Sequence, residues 1–154
     1  MQPNLALIEP EIAGNVGTIL RTAACFGVPV HIVEPCGFAF SDRALRRAGM
    51  DYAASAALTR HESRSAFVAT ARAQGRRLVL LTTGGGVRLD EAQFTPADIL
   101  MLGSEGSGAP ADMHDAAALR VRIPLCPAFR SLNVAVAAGI ALAEALRQLK
   151  GFPQ

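Results

Sequence analysis

Residues 4–33 read NLALIEPEIAGNVGTILRTAACFGVPVHIV, and the order of residue types along them sets the architecture. Asn4 to Ile8 is a short apolar run stopped by Glu9-Pro10, and Val30 to Val33 is a second one stopped by Glu34-Pro35. Short apolar runs that end at proline fit strands buried on both faces of a parallel sheet. Between them Ile19, Leu20, Ala23 and Phe26 supply the inner side of a helix, with Asn15 placed to cap its start and Gly27 to close its end. Strand, helix and strand in this order make a β-α-β unit. Its first connection, Pro10 to Gly17, falls at a strand's carboxyl end, where α/β proteins present backbone and side chains to ligands.

The same punctuation continues outward. Residues 41 to 50 predict a short amphipathic helix capped by Ser41 and ended by Gly49, and Ser63 to Gln74 predicts another. A strand over Arg77 to Thr82 leads into the loop Thr83-Gly84-Gly85-Gly86, and Ile99 to Leu102 and Arg120 to Pro124 are two further strands. The last helix runs from about Ser131 to Lys150. Leu132, Val134, Val136, Ile140, Leu142, Leu146 and Leu149, with interleaved alanines, leave it almost no polar face before Glu144. A helix apolar all round must be covered on all sides, so part of its cover is expected from a second copy and a homodimer is predicted.

The predicted fold class is therefore α/β, a mostly parallel sheet flanked by helices, with residues 1–154 forming one domain. Hydrophobic residues make up 51% of the chain and charged ones 18%, ample for one well-buried core. Cys25, Cys36 and Cys126 are odd in number, far apart and without C-x-x-C spacing, which suggests neither a disulfide framework nor a zinc site and fits a reducing cytoplasm. Met1 to Pro10 lacks a basic region and carries Glu9, so no secretory signal is expected. The longest apolar stretch, Val134 to Ala143, is about half of the roughly 20 residues a bilayer span needs. A soluble, cytoplasmic protein is expected.

Charge is unevenly placed. Between residues 43 and 77, eight arginines (Arg43, Arg46, Arg47, Arg60, Arg64, Arg72, Arg76 and Arg77) face only Asp51 and Glu62. This composition fits a phosphate-binding surface that would include Arg43, Arg46 and Arg47, although a solvated arginine-rich face would read the same way.

Missing motifs narrow the chemistry. Residues 10–17 lack the G-x-G-x-x-G spacing of a dinucleotide site, and no Walker A sequence occurs, which argues against a nicotinamide-dependent enzyme. His31, His61 and His114 are scattered, without a hydrolase triad or a metal-ligand cluster, so no metal is expected. What remains is a set of strand ends, Leu81-Thr82-Thr83-Gly84, Leu102-Gly103 and Ile123-Pro124-Leu125, that deliver backbone without bulky side chains. Such an edge suits an adenosine-type ligand, since peptide groups read the base while glycine permits close approach; singly, each is also an ordinary turn. Glu105, within Leu102-Gly103-Ser104-Glu105-Gly106-Ser107-Gly108, either accepts hydrogen bonds in a binding site or caps a helix starting near Pro110. Ser131 either caps the last helix or joins a site with Asn133.

Taken together, Asn15-x-Gly17-x-x-x-Arg21, the Leu102–Gly108 loop, and Ile123-Pro124 followed by Ser131-Leu132-Asn133 resemble the three signatures of the SPOUT, or α/β-knot, RNA methyltransferases. The resemblance covers nearly the whole chain. The strings Ile8-Glu9-Pro10-Glu11-Ile12, His31 to Phe38 and Leu45 to Tyr52 are similar to the small single-domain members that methylate the ribose 2′-hydroxyl at the tRNA wobble position. The resemblance implies a dimer with a C-terminal trefoil knot, S-adenosylmethionine as cofactor, a site shared between subunits, and the tRNA anticodon stem-loop as partner. Position by position it assigns cofactor binding to Leu81, Thr82, Gly103, Ile123, Leu125, Ser131 and Leu132, and catalysis to Arg21, Glu105, Ser131 and Asn133. Ser107 and Ala109 depart from relatives that carry a basic or bulkier polar residue and a leucine there. The implied activity is 2′-O-methylation of cytidine or uridine at tRNA nucleotide 34. The same transfer to another tRNA or ribosomal RNA site, or a non-catalytic RNA-binding module, stand as alternatives.

Overall fold

The computed structural model describes residues 1–39, 41, 43 and 57–154. Among the described residues the elements follow in the order β1 (Asn4–Ile8), α1 (Ala13–Phe26), β2 (Val30–Val33), β3 (Leu58–His61), α2 (Arg64–Ala73), β4 (Arg77–Leu81), β5 (Val87–Arg88), β6 (Asp98–Leu102), α3 (Ala111–Ala116), β7 (Leu119–Arg122) and α4 (Val134–Leu149). The strands form one sheet in the order β3-β2-β1-β6-β4-β7-β5, and every pairing is parallel. The α/β class with a parallel sheet flanked by helices is thus as expected.

Two cores explain why β1, β4 and β6 are nearly continuous apolar runs. On one face Leu5, Leu7, Ile32, Val79, Leu100 and Leu102 pack with Val16, Ile19 and Leu20 of α1 and Ala138, Leu142 and Leu146 of α4. On the other, Ala6, Ile8, Val33, Leu80, Ile99 and Met101 pack with Phe67 and Ala71 of α2 and Met113 of α3. Alternate residues of each strand serve opposite layers, so both must be apolar. At the sheet's amino edge the Arg77 guanidinium forks onto Asp98 at 2.6 and 2.7 Å. Asp98, fully buried, also accepts from Thr95 N–H and Oγ1–H.

Several boundaries differ from the sequence reading. α1 starts at Ala13 with Ile12 as its cap residue, so Asn15 lies inside the first turn rather than capping it. Its other end is as expected, with Gly27 in the left-handed conformation at φ 67°. α4 begins at Val134, capped by Asn133, so Ser131 belongs to the preceding loop and does not cap. β7 ends at Arg122, leaving Ile123-Pro124 in that loop. The short edge strands β3 and β5 carry no apolar run, and no sequence signal marked them. Of the helix expected over residues 41–50, only Ser41 and Arg43 are described; Arg46 and Arg47 lie outside the described residues.

Among the described residues, the arginines of this segment do not share one surface. Arg77 is engaged by Asp98, Arg76 Nη1 donates to the carbonyls of Gln2 and Pro96, Arg60 pairs with Glu34, and Arg64 pairs with Glu9 and Asp112. Arg76 and Arg77 sit at the amino edge of the sheet, whereas Glu9 and Glu34 follow the carboxyl ends of β1 and β2. The histidines are less scattered than their spacing suggests. β2 and β3 pair directly, and His31 Nδ1 lies 3.0 Å from His61 Nε2 under Phe67.

Candidate active site

The carboxyl ends of β4, β6 and β7 and the start of α1 enclose a cavity of about 700 Å3. Strand order changes direction beside β1 and β6, the position where open parallel sheets leave a crevice. Leu81, Leu102, Val121, Ile123, Leu125, Leu132 and Ala137 give the cavity apolar walls; backbone of the Thr82–Gly84 and Gly103–Gly108 loops gives it a polar edge.

The second loop is shaped by a contact that glycine alone permits. A Cβ on Gly103 would stand 2.4 Å from Ala109 N and 2.5 Å from the Gly108 carbonyl carbon, so the chain folds back directly over Gly103. That fold is closed by paired hydrogen bonds between Ser104 and Gly108, with Ser104 Oγ and Ser107 Oγ 2.8 Å apart. Thr82 Oγ1 accepts from Gly84 N–H, turning the first loop at the end of β4.

Glu105 links the second loop to α1. Its Oε2 accepts from Glu11 N–H at 2.8 Å, and its Oε1 accepts from Ile12 N–H at 3.2 Å and Asn15 Nδ2–H at 3.3 Å. Glu105 therefore caps a helix, but the helix is α1, distant in sequence, rather than the one after Pro110. A carboxylate at this position satisfies otherwise unpaired N–H groups and complements the positive end of the helix dipole. Asn15 continues the chain of bonds: its Oδ1 accepts from Asn133 Nδ2–H at 3.0 Å, while Asn133 Oδ1 accepts from Ala135 and Val136 N–H at the start of α4. Each amide is thus fixed in orientation by having donor and acceptor sides used. Residues from the three motifs meet in one hydrogen-bonded line.

A second set of contacts braces the outside of the site. Arg64, at the start of α2, joins Glu9 after β1 to Asp112 in the first turn of α3. Gly37 N–H donates to Pro10 O, and a Cβ on Gly37 would lie 2.9 Å from Glu11 Cα, so residues 34–38 press on the Pro10–Ile12 loop. Within that strap, burial and the neighbouring Glu34 push the Cys36 thiol up to about 11, which leaves it protonated and a poor nucleophile.

All seven positions expected for cofactor binding, Leu81, Thr82, Gly103, Ile123, Leu125, Ser131 and Leu132, line the cavity, as do Glu105, Ser131 and Asn133. Arg21 is exposed on α1 and does not line it. Six residues after Asn15, it is turned about 120° away around the helix axis. Sequence reasoning did not place Ser104, Ser107, His114 or Arg130 on the cavity wall. His114 arrives there because Met113 anchors α3 in the core, a tertiary effect without a local signal; Arg130 could have been found from its adjacency to Ser131. Among the described residues, His, Cys, Asp and Glu side chains form no group of three able to hold a metal. No helix among them is long and apolar enough to cross a membrane.

Comparison with known proteins places this geometry. The model of the SpoU rRNA Methylase family matches residues 2–143. A tRNA (cytidine(34)-2'-O)-methyltransferase of Ancylobacter novellus is 51% identical over 96% of this chain and 94% of its own length. The protein of that name from Escherichia coli K12 is 43% identical over 97% and 95%. A solved structure concerned with the 2-OH methylation of C/U34 on tRNA superposes with a TM-score of 0.90 at 39% identity, covering 97% of both chains. An AdoMet-bound rRNA methyltransferase from Sinorhizobium meliloti gives a TM-score of 0.86 at 31% identity, over 96% of this chain and 57% of that one.

Proposed function

The chain belongs to the SpoU rRNA Methylase family, and from that membership we infer that it is an enzyme transferring a methyl group to the ribose 2′-oxygen of cytidine or uridine at tRNA nucleotide 34. The observation that carries the reading is the line from Glu105 through Asn15 to Asn133, which joins all three family motifs around one cavity.

S-adenosylmethionine is the cofactor the family implies, and the donor set fits it: apolar walls for an adenine, peptide groups along a glycine-rich edge to read it, and about 700 Å3 of room. Leu81, Thr82, Gly103, Ile123, Leu125, Ser131 and Leu132 would hold it. When bound, it supplies a methyl on a sulfonium, an excellent leaving group, so the protein's task is alignment. Ser131 and Asn133 place the reacting groups at the cavity wall. Glu105 supports the loop rather than the chemistry, since three donors already occupy its oxygens. A guanidinium keeps its protons, so Arg21 orients the ribose or its phosphate and stabilises developing negative charge.

Residues 1–154 are proposed to act as one catalytic domain that works as a homodimer. Val136 and Ile140, one turn apart on α4, remain 50% and 39% exposed while the helix's inner side is fully packed, which supports a second copy there. The position of Arg21 outside its own cavity supports a site completed across that dimer. A C-terminal trefoil knot is proposed from family membership; in support, β7 lies between β4 and β5, under the loop that joins them. A Cβ on Gly86 of that loop would stand 2.5 Å from Arg120 O. Arg43, Arg46 and Arg47 are proposed contacts to the anticodon stem-loop, and the cytoplasm is the proposed compartment.

The test is transfer of labelled methyl from S-adenosylmethionine to total tRNA, followed by nuclease mapping. Label on the 2′-oxygen of nucleotide 34 is expected. Label at another tRNA or ribosomal RNA site would move the target, and cofactor binding without transfer would leave only an RNA-binding module.

A further inference from the structure

The loop from Ile123 to Asn133 enters and leaves the cavity: Ile123 and Leu125 line it on the way out, Arg130 to Asn133 on the way back. Between them Cys126 to Phe129 project into solvent. The tip is not slack, because Phe129 N–H donates to Cys126 O at 3.0 Å and Pro124 before the turn and Pro127 within it restrict the backbone. At this tip Phe129 is 70% exposed, more than any other phenylalanine among the described residues. An aromatic ring held open on a stiffened turn, with Arg130 beside it and no acid between residues 123 and 133, has the composition of a nucleobase platform.

Position selects the occupant. Phe129 lies two residues from Ser131, so their Cα atoms are at most about 7 Å apart. A ribose placed for methyl transfer beside Ser131 therefore carries its own base to within reach of the Phe129 ring. We propose that Phe129 stacks on the base of the nucleotide being methylated, splayed from the anticodon loop, and that Arg130 contacts the phosphate next to it. This rests on the reading of the enzyme as a tRNA nucleotide-34 ribose methyltransferase and extends it to the base. A ring face reads no hydrogen-bonding edge, so stacking accepts cytidine and uridine alike while ordering either one. Recognition by an edge-reading side chain would separate the two.

The chain has no tryptophan, so Phe129→Trp places a single indole at the site. Adding an anticodon stem-loop RNA to the saturated S-adenosylmethionine complex should quench its emission, and the same RNA with an abasic nucleotide 34 should not. Phe129→Ala should raise KM for the stem-loop about tenfold, the scale of one lost stacking contact, with S-adenosylmethionine affinity unchanged and Phe129→Tyr restoring KM. Equal quenching by the abasic RNA, or an unaltered KM in Phe129→Ala, overturns the proposal while leaving the enzyme's activity established. A Phe129→Ala protein that changes its sedimentation state instead of its KM assigns the ring to a contact between copies and also overturns it. Failure of the wild-type protein to methylate any tRNA would remove the functional reading itself.

Discussion

Asn15 sits at the crossing of two demands that one amide meets and neither alanine nor aspartate does. Its Nδ2 donates to Glu105 and its Oδ1 accepts from Asn133, at 3.3 and 3.0 Å. Asn15→Ala removes both bonds and leaves two polar partners to find water in a half-buried site, a cost of about 1–3 kcal/mol. Asn15→Asp keeps the acceptor toward Asn133 but sets a second carboxylate against Glu105, so repulsion is added to the lost bond. Asn15→Asp is therefore expected to lower both S-adenosylmethionine affinity and kcat further than Asn15→Ala; isothermal titration and single-turnover transfer check the order. An aspartate variant that outperforms alanine would mean that the line of bonds does not set the loop geometry. In the sequence Asn15 looked like a helix cap because asparagine near an apolar periodicity usually is one. Its actual partners are about 90 and 118 residues away, a separation that no local pattern encodes.

Among the elements, the two loops at the ends of β4 and β6 are fixed by backbone proximity rather than by side-chain packing. Gly103→Ala would put a methyl 2.4 Å from the Ala109 nitrogen, and the obstructing atoms are backbone that cannot rotate away. The loop must open, taking Glu105 from the start of α1, so cofactor binding should fall by at least a hundredfold, roughly 3 kcal/mol. Titration of S-adenosylmethionine reads this directly; an alanine variant with native affinity would show that the loop tolerates a different path. β1, β2, β4 and β6 were legible because each is buried on both faces and so written as an apolar run bounded by proline, glycine or polar residues. β3 was not, since Thr59 and Arg60 are exposed and its place is set by pairing with β2. The seven proposed cofactor positions all line the cavity. The strand ends at Leu81-Thr82, Leu102-Gly103 and Ile123-Pro124-Leu125 were legible as apolar runs giving way to glycine, proline or a small polar residue, whereas Ser131 and Leu132 come from family resemblance alone. The pairing of Arg60, Arg64 and Arg77 was hidden for the opposite reason: linear charge counts cannot tell that Glu34, Glu9, Asp112 and Asp98 come from elsewhere to meet them.

For the whole molecule, assembly and pH response are separable. Ile140→Asp places a charge on the outer side of α4, where the side chain is 39% exposed in the single chain, so it should dissociate the proposed dimer in sedimentation while preserving monomer helicity and abolishing transfer. A dimeric, active Ile140→Asp protein would place the interface on another surface. Acid stability depends instead on a site far from the cavity. Burial, then His61, then Arg76 lower the His31 imidazole from its ordinary 6.5 to about 4, and burial lowers His61 as well. His31 Nε2 faces Asn4 Nδ2 and its Nδ1 faces His61 Nε2, both at 3.0 Å, so one ring proton bridges the two imidazoles and a second has no place without breaking a contact. Well above pH 6.5 folded and unfolded chains are equally neutral here and the pair adds no pH dependence. As pH falls from 6.5 toward 4 the unfolded chain takes up protons that the folded chain refuses, so stability declines through that window, by roughly 3 kcal/mol for His31. Glu144, held at about 2 first by Arg147 and then by Gln148, adds its own loss as pH falls from about 4.5 toward 2, overlapping the lower end of that range, because its carboxylate is protonated in the unfolded chain first. Urea midpoints should therefore be flat from pH 8 to 7 and fall between 6.5 and 4. His31→Gln, which is less stable at neutral pH, should show a shallower fall across the same interval. Identical slopes in the two proteins would place the acid sensitivity in the carboxylates, not in the histidine pair.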